Sequence, residues 1–177
     1  MQYTDTYISP IGKIIFASDG TALTGLWFEG QKYFEESLTE KMKDEHLPVF
    51  EETKRWLDCY FSGSVPGFTP VLRPKGSPFR MEVWKILQEI PYGKLTTYGE
   101  IARRMAGQRG LEKMSAQAVG GAVAHNPISI IIPCHRVVGS DGSLTGYAGG
   151  IQKKIELLKI EKANDTSGKK YREENEK

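Results

Sequence analysis

Cys134 is the residue of this sequence best placed to do chemistry. It ends the run SIIIPC, and His135 and Arg136 follow it directly. The β-branched residues Ile130–Ile132 predict a buried strand, and Pro133, which has no N–H, would end its hydrogen-bond ladder. A thiol at the end of a rigid element, beside groups that can take its proton, is a candidate nucleophile. From these residues alone, an inert buried cysteine is an equally good interpretation.

The cysteines and histidines are too scattered to predict a structural metal site. Such sites usually hold four Cys or His ligands at close spacing. Here the five candidates are spread along the chain at His46, Cys59, His125, Cys134 and His135. We therefore predict no metal, and we expect Cys59 to be a structural cysteine within a helix.

Charge is distributed unevenly along a chain of 177 residues whose net charge is only +2. Residues 1–78 carry 8 Lys and Arg against 11 Asp and Glu, whereas residues 79–163 carry 12 against 7. The basic middle segment suits a polyanionic partner. No apolar run approaches the roughly 20 residues of a membrane-spanning helix, and the N-terminus lacks the order of a signal peptide. We therefore expect a cytoplasmic globular protein without a disulfide framework.

The pattern divides the chain into a strand-rich first part and a helical second part. Short β-rich runs at Lys13–Ser18 and Thr24–Glu29, then a helix at Pro48–Gly63, predict an α/β domain over residues 1–76. Its end is the Pro- and Gly-rich stretch 64–78, a candidate linker. Residues 77–163 form the second predicted domain, and residues 164–177 a flexible tail.

Three helices are predicted in the second domain before Cys134. The first begins at Ser77-Pro78, the second is capped by Thr96 or Thr97, and the third spans Ala116–His125. Small residues dominate the third helix. Tight packing against a neighbouring helix and insertion into a DNA groove both explain them, and the helix-turn-helix arrangement leaves both interpretations open.

One long segment resembles a known family. HNPISIIIPCHRVVGSDGSLTGYAGG, residues 125–150, is similar to the active-site region of the O6-methylguanine-DNA methyltransferases, with its P-C-H-R-V core followed by G-Y-x-G-G. The resemblance covers residues 78–161 and extends, less specifically, to the N-terminal SPIGKIIFASDGTALTGLWF of bacterial members. It implies an N-terminal α/β domain with an RNase-H-like sheet. The second domain would be mainly α, winged-helix-like and built on a helix-turn-helix.

The resemblance implies suicide DNA repair by a monomer. An alkyl group would pass from O6-alkylguanine in double-stranded DNA to Cys134, irreversibly, once per molecule and without a cofactor; O4-methylthymine stays open as a second substrate. His135 would draw off the thiol proton through a water, and Glu161 would polarise His135. We expect this relay to lower the effective pKa of the thiol. Asn126 would tie the recognition helix to the active-site strand.

The same resemblance implies how substrate and DNA are held. Tyr98 would help rotate the nucleotide out of the stack, Tyr147 and Ala148 would form the wall of the guanine pocket, and the Val137 carbonyl would accept a hydrogen bond from the guanine amino group. The family's usual arginine in the recognition helix is replaced by Gln117, which lacks the charge and stacking plane of a guanidinium. The full set of predicted DNA contacts is Tyr98, Arg103, Arg109, Ser115, Gln117 and Ser140. For the two arginines, phosphate contact and simple solvation both stay open.

Three other functions share part of the pattern. A non-enzymatic alkyltransferase-like protein would bind damaged DNA but lack the acceptor cysteine. A helix-turn-helix regulator does not explain Cys134, His135 and Glu161 together. A Cys–His hydrolase would normally take its histidine from a distant segment. The intact mass of the protein after mixing with alkylated DNA separates these alternatives from alkyl transfer.

Overall fold

A four-stranded sheet forms the base of the first unit. The computed structural model describes residues 2–31, 42–44, 46–144, 146–162 and 164–165. The strands of this sheet are β1 (Gln2–Ser9), β2 (Gly12–Ser18), β3 (Leu23–Phe28) and β4 (Met42–Asp44). Their order is β3-β2-β1-β4, and only the β1–β4 pair is parallel. The two β-rich runs predicted from the sequence are therefore strands.

Helix α1 (Pro48–Phe61) completes this unit by burying its apolar side chains against the sheet. The ring centroids of Phe16 in β2 and Phe50 in α1 are 5.9 Å apart. Tyr7 of β1 stacks on Phe61 at 6.3 Å, and its hydroxyl donates to Asp58 at 2.6 Å. Aromatic contacts between sheet and helix thus supplement a core that also contains buried aliphatic side chains such as Ile14, Leu26 and Leu57.

Two later segments also pair with β3. Leu23 forms a parallel bridge with Leu72 of the predicted linker, and Leu26 forms one with Ile128. The first compact unit accordingly comprises residues 1–75 together with 127–131, and the second comprises 76–126 and 132–177. Because residues 127–131 belong to the first unit, the chain does not divide into the two units at residue 76 alone. The domain boundaries stay a prediction.

The second unit contains four helices and a small sheet among the described residues. The helices are α2 (Pro78–Leu87), α3 (Tyr98–Gln108), α4 (Ala116–Ala124) and α5 (Ile151–Glu161). The strands are β5 (Lys94–Thr97), β6 (Val137–Val138) and β7 (Asn164–Asp165), in the order β6-β5-β7 with both pairs parallel. Leu95, Val138, Leu144, Ile155 and Leu158 form an apolar cluster with this sheet. Of the predicted tail, residues 166–177 lie outside the described residues.

Side-chain caps set the starts of the three helices that precede Cys134. Ser77 accepts from the Arg80 N–H at the start of α2, and Ser115 accepts from the Ala118 N–H at the start of α4. Thr97 and Glu100 form a complete capping box on α3. Each cap satisfies N–H groups that have no partner within the helix, which confirms the predicted helix starts.

Within the described residues, every helix falls short of the length and hydropathy that a bilayer-spanning segment requires.

The predicted strand at Ile130–Ile132 is wrong, because this stretch forms tight turns. The Ile131 N–H donates to the Ser129 carbonyl at 2.8 Å, which closes a three-residue turn around Ile130 with φ of 69°. The Cys134 N–H donates to the Ile132 carbonyl at 2.8 Å, which closes a second turn around Pro133. Both are γ-turns. They use N–H groups that a strand ladder would need, so β-propensity is overridden.

Candidate active site

Cys134 begins a single 3₁₀ turn, Cys134–Arg136, and is only 5% exposed. Asn126, just past the end of α4, donates from Nδ2 to the Ile132 carbonyl at 2.8 Å. The Asn126 side chain also lies close enough to Cys134 to lower the pKa of its thiol. Asn126 is therefore bonded to the backbone that leads into Cys134 and lies beside its thiol.

His135 and Glu161 form a buried pair next to the thiol-bearing residue. Nε2 of His135 lies 2.5 Å from Oε2 of Glu161, the last residue of α5. The Gly93 N–H donates to the other carboxylate oxygen, Oε1, at 3.1 Å. Because Nε2 faces Glu161, the nitrogen that can take up a thiol proton is Nδ1.

Arg136 is the cation on Glu161, and sequence reasoning gave it no role. Its Nε donates to Oε1 of Glu161 at 2.7 Å, and one terminal nitrogen donates to the Ile90 carbonyl at 2.7 Å. The guanidinium also lies over the Tyr92 ring, 5.7 Å from its centroid. Arg136 thus joins the 3₁₀ turn to α5 and to the loop before β5.

Lys154 is a fully buried lysine that sequence reasoning also missed. Its Nζ donates to the Val137 carbonyl at 2.6 Å. This carbonyl is the predicted acceptor for the guanine amino group, and a carbonyl oxygen has two lone pairs, so it can serve both donors. A signal was present: Lys154, Leu158 and Glu161 are spaced to lie on one buried face of α5.

Burial raises the pKa of the Cys134 thiol. Four groups oppose this rise: the Asn126 side chain, the Lys154 ammonium and the backbone N–H groups of Cys134 and His135. Burial also lowers the pKa of Lys154 to about 8, against the attraction of the Cys134 thiolate. The resting thiol is therefore protonated, contrary to the expected lowering of its pKa. The physical reason is desolvation of the charged form.

The pair beside the thiol combines a neutral imidazole with an ionised carboxylate. Burial lowers the pKa of His135; Glu161 opposes this effect, while Arg136 and Lys154 add to it. Burial alone would raise the pKa of Glu161, but His135 and Arg136 outweigh it and hold that pKa well below its usual range. His135 is consequently able to accept a proton at neutral pH.

Tyr98 lies between α4 and the segment that carries Tyr147. A Cβ added to Gly120 of α4 would lie 3.8 Å from the Tyr98 ring, and one added to Gly146 would lie 4.0 Å from its hydroxyl. Tyr147 is buried and Ala148 is half-buried. The structure therefore brings Tyr98 close to the segment predicted to line the guanine pocket.

The predicted DNA contacts differ in how accessible they are. Ser115, Gln117, Ser140 and Arg103 are exposed, and the described residues provide no ion-pair partner for Arg103. Arg109, by contrast, forms an ion pair with Glu82 and lies over the Phe79 ring at 5.6 Å. Arg109 is thus held in a surface ion pair, and phosphate contact by either arginine stays a prediction.

One group of metal-type ligands occurs in the first unit of the described chain. Ligand atoms of Asp5, His46 and Glu51 lie within 4.8 Å of one another. The Lys54 ammonium lies 2.8 Å from Asp5 and 3.8 Å from Glu51. This one cation offsets only one of the two carboxylate charges, and the absence of a metal stays a prediction.

Fold and site together define a class: two-domain proteins whose helical second domain carries a helix-turn-helix and a buried cysteine beside a His–Glu pair. Residues 2–72 match the model of the 6-O-methylguanine DNA methyltransferase ribonuclease-like domain, and residues 78–163 match that of the same family's DNA binding domain. The chain belongs to the 6-O-methylguanine DNA methyltransferase family. This membership confirms the predicted fold class.

Individual relatives agree with this assignment over nearly the whole chain. The chain is 42% identical to a methylated-DNA--protein-cysteine methyltransferase of Haemophilus influenzae, covering 90% of this chain and 86% of the relative. Its identity to the Methanosarcina barkeri protein of the same name is 45%, covering 92% and 98%. It is also similar to the crystal structure of the Mycobacterium tuberculosis O6-methylguanine methyltransferase, with a TM-score of 0.78, 41% identity and coverage of 92% and 93%. A structure of the Mycobacterium tuberculosis protein in complex with DNA gives a TM-score of 0.76, 40% identity and 95% coverage of both chains.

Proposed function

We propose that this protein repairs double-stranded DNA by direct reversal, moving the alkyl group of O6-alkylguanine irreversibly onto its own Cys134. The observation that carries this proposal is the buried Cys134 thiol beside the His135–Glu161 pair, within the unit that matches the family's DNA binding domain. The similarity to a relative whose structure contains DNA supports the same partner.

The proposed step makes one carbon–sulfur bond and breaks one carbon–oxygen bond. The thiol proton passes toward Nδ1 of His135, through a water as the family pattern implies, and the thiolate attacks the alkyl carbon. Guanine leaves with the bonding electrons and is protonated. The product is a thioether on Cys134, which the chain's other thiol, Cys59 in α1, has no means to resolve because thioethers do not undergo thiol exchange.

The exposed start of α4 is the proposed DNA-contacting surface. The cap residue Ser115 is exposed, as are Gln117 and Gly121 of the helix. A Cβ added to Gly121 would meet no atom within 4 Å among the described residues, so protein packing does not explain the missing side chain there. This observation favours close approach to DNA over tight helix packing. The target base must leave its stack for the thiol to reach it.

Both cysteines are free, which suits a reducing compartment. We therefore infer that the protein acts in the cytoplasm.

Intact mass spectrometry tests the proposal. After mixing with excess O6-methylguanine duplex, each protein molecule should gain the mass of one CH2 and no more. Cys134→Ser should gain nothing, while the matched variant Cys59→Ser should gain the same mass as the wild type. Sustained turnover, or a label on Cys59, would contradict suicide transfer. Binding of the duplex without any mass gain would favour the damage-binding or regulator alternatives.

A further inference from the structure

We propose that Arg136 is a positioning residue that keeps the His135–Glu161 pair in its working charge state, with a neutral imidazole and an ionised carboxylate. This inference rests on the proposed function, because the pair matters only if His135 receives the thiol proton.

The geometry gives Arg136 two simultaneous attachments. Its Nε donates to Oε1 of Glu161 at 2.7 Å while a terminal nitrogen donates to the Ile90 carbonyl at 2.7 Å. The guanidinium also lies over the Tyr92 ring, 5.7 Å from its centroid. Oε2 of Glu161 is thereby directed to His135, at 2.5 Å. The planar guanidinium can donate to these two acceptors at once, whereas a lysine ammonium on a flexible side chain cannot reproduce this geometry.

The charges around His135 explain why this attachment matters. Glu161 and Lys154 face it from α5, and Cys134 and Arg136 lie beside it in the 3₁₀ turn. Arg136 neutralises Glu161, so the carboxylate does not need a proton on His135 to balance its buried charge. Arg136 also repels a positive charge on the imidazole. Without Arg136, Glu161 would hold a proton on His135, and a protonated imidazole cannot accept one from the thiol.

Nuclear magnetic resonance of the histidine ring protons tests the charge state directly. The chain has only three histidines, so His135 can be assigned by comparison with a His135→Gln variant. In Arg136→Met, the protonation midpoint of His135 should rise by at least about one pH unit, the effect typical of losing a nearby charge. Arg136→Lys, which keeps the charge, should give a smaller rise. Arg73→Met, which removes an arginine from the surface ion pair with Asp19, is the matched control and should leave the midpoint unchanged.

The rate of transfer from benzylguanine, a free base that needs no DNA, provides the second measurement. In Arg136→Met the rate should fall roughly ten-fold below pH 7 and recover as the pH rises, because His135 then loses its proton. Adding Glu161→Gln to Arg136→Met should return the His135 midpoint toward the wild-type value, since the carboxylate that holds the proton is gone.

Two results would overturn the proposal: an unchanged His135 midpoint in folded Arg136→Met, or a loss of rate that is equal at every pH. If Arg136→Met fails to fold, Arg136→Lys decides alone, and a wild-type midpoint with a pH-independent loss of rate overturns the proposal. The midpoint is measured without alkylated substrate. A wild-type protein that transfers no alkyl group would therefore contradict the proposed function and leave the assignment of Arg136 to be judged by the titration.

Discussion

Cys134 and Lys154 are both buried, and each modifies the ionisation of the other. In a water-poor site, a cation near a thiolate stabilises it far more than it would at the surface. Lys154 is also held in place by its bond to the Val137 carbonyl. It is therefore positioned both to support the developing thiolate and to orient the carbonyl that would face guanine.

Replacing Lys154 by Met should raise the pKa of the Cys134 thiol further, because the neighbouring cation is lost. At neutral pH, transfer from benzylguanine should slow by roughly ten-fold or more, and the rate should rise with pH over a higher range than in the wild type. Lys154→Arg keeps the charge and should lie closer to the wild type. The measurement is the pH dependence of the single-turnover rate in a Cys59→Ser background, which removes the second thiol. An unchanged pH profile in Lys154→Met would show that the ammonium does not support the thiolate.

At this scale the sequence predicted three residues that the structure brings together, Cys134, His135 and Glu161, but not Arg136 and Lys154, which lie beside them. Cys134 and His135 stand in a recognisable motif, and Glu161 follows from the family pattern. Arg136 belongs to the same motif, yet nothing in the spacing reveals that it reaches Glu161, 25 positions away. Such a contact depends on where α5 returns to the 3₁₀ turn, which is tertiary information.

Among the elements, the helices were predicted well and the segment before Cys134 was not. Helix capping depends only on residues within a few positions of the helix start. The capping residues Ser77, Thr97 and Ser115 could therefore be identified from their neighbours in the sequence. The run Ile130–Ile132 has the composition of a strand, but only the preceding Ile128 bridges a strand, β3. Ile130 instead adopts a positive φ that costs a β-branched residue about 1–3 kcal/mol. Burial of these isoleucines offsets that strain, and no local pattern reports it.

Gln117, exposed on the first turn of α4, is where this chain departs from the family pattern. If extrusion of the damaged base limits the wild-type protein, Gln117→Arg should speed transfer from duplex DNA. Filling the gap in the stack is worth ~1–3 kcal/mol by analogy with aromatic stacking. Transfer from benzylguanine needs no extrusion and should not change. The test compares second-order rates for both substrates and both proteins.

An equal change in the two rates would mean that residue 117 acts on the guanine pocket or on folding instead. No change on either would mean that another side chain already fills the gap. Arg103 is the stronger candidate for that role, because Arg109 is engaged by Glu82.

For the whole molecule, the distribution of charge along the sequence predicted which of the two units would bind a polyanion. The acidic first part forms the ribonuclease-like domain, and the basic segment 79–163 forms the DNA binding domain. The return of residues 127–131 to the first unit was not visible in the sequence, since pairing of distant backbone segments leaves little trace in composition. Net charge describes partners and solubility rather than fold, so this detail required coordinates.

The buried histidine should make the stability of the protein fall in mild acid. Burial lowers the pKa of His135 in the folded protein, while the unfolded chain takes up its proton near the ordinary value of about 6.5. This contribution to the free energy of unfolding is therefore complete above about pH 6.5 and is lost as the pH falls, by at most about 1.4 kcal/mol per pH unit. Most carboxylates titrate at lower pH, so the window from about pH 5 to 6.5 isolates His135.

Urea unfolding followed by circular dichroism across this window should show the decline in the wild type. The decline should be absent in His135→Gln, whatever that variant's overall stability, and present in the matched variant His46→Gln, whose side chain is exposed. A decline that persists in His135→Gln would mean that other groups take up the proton and that His135 is not held neutral by the fold.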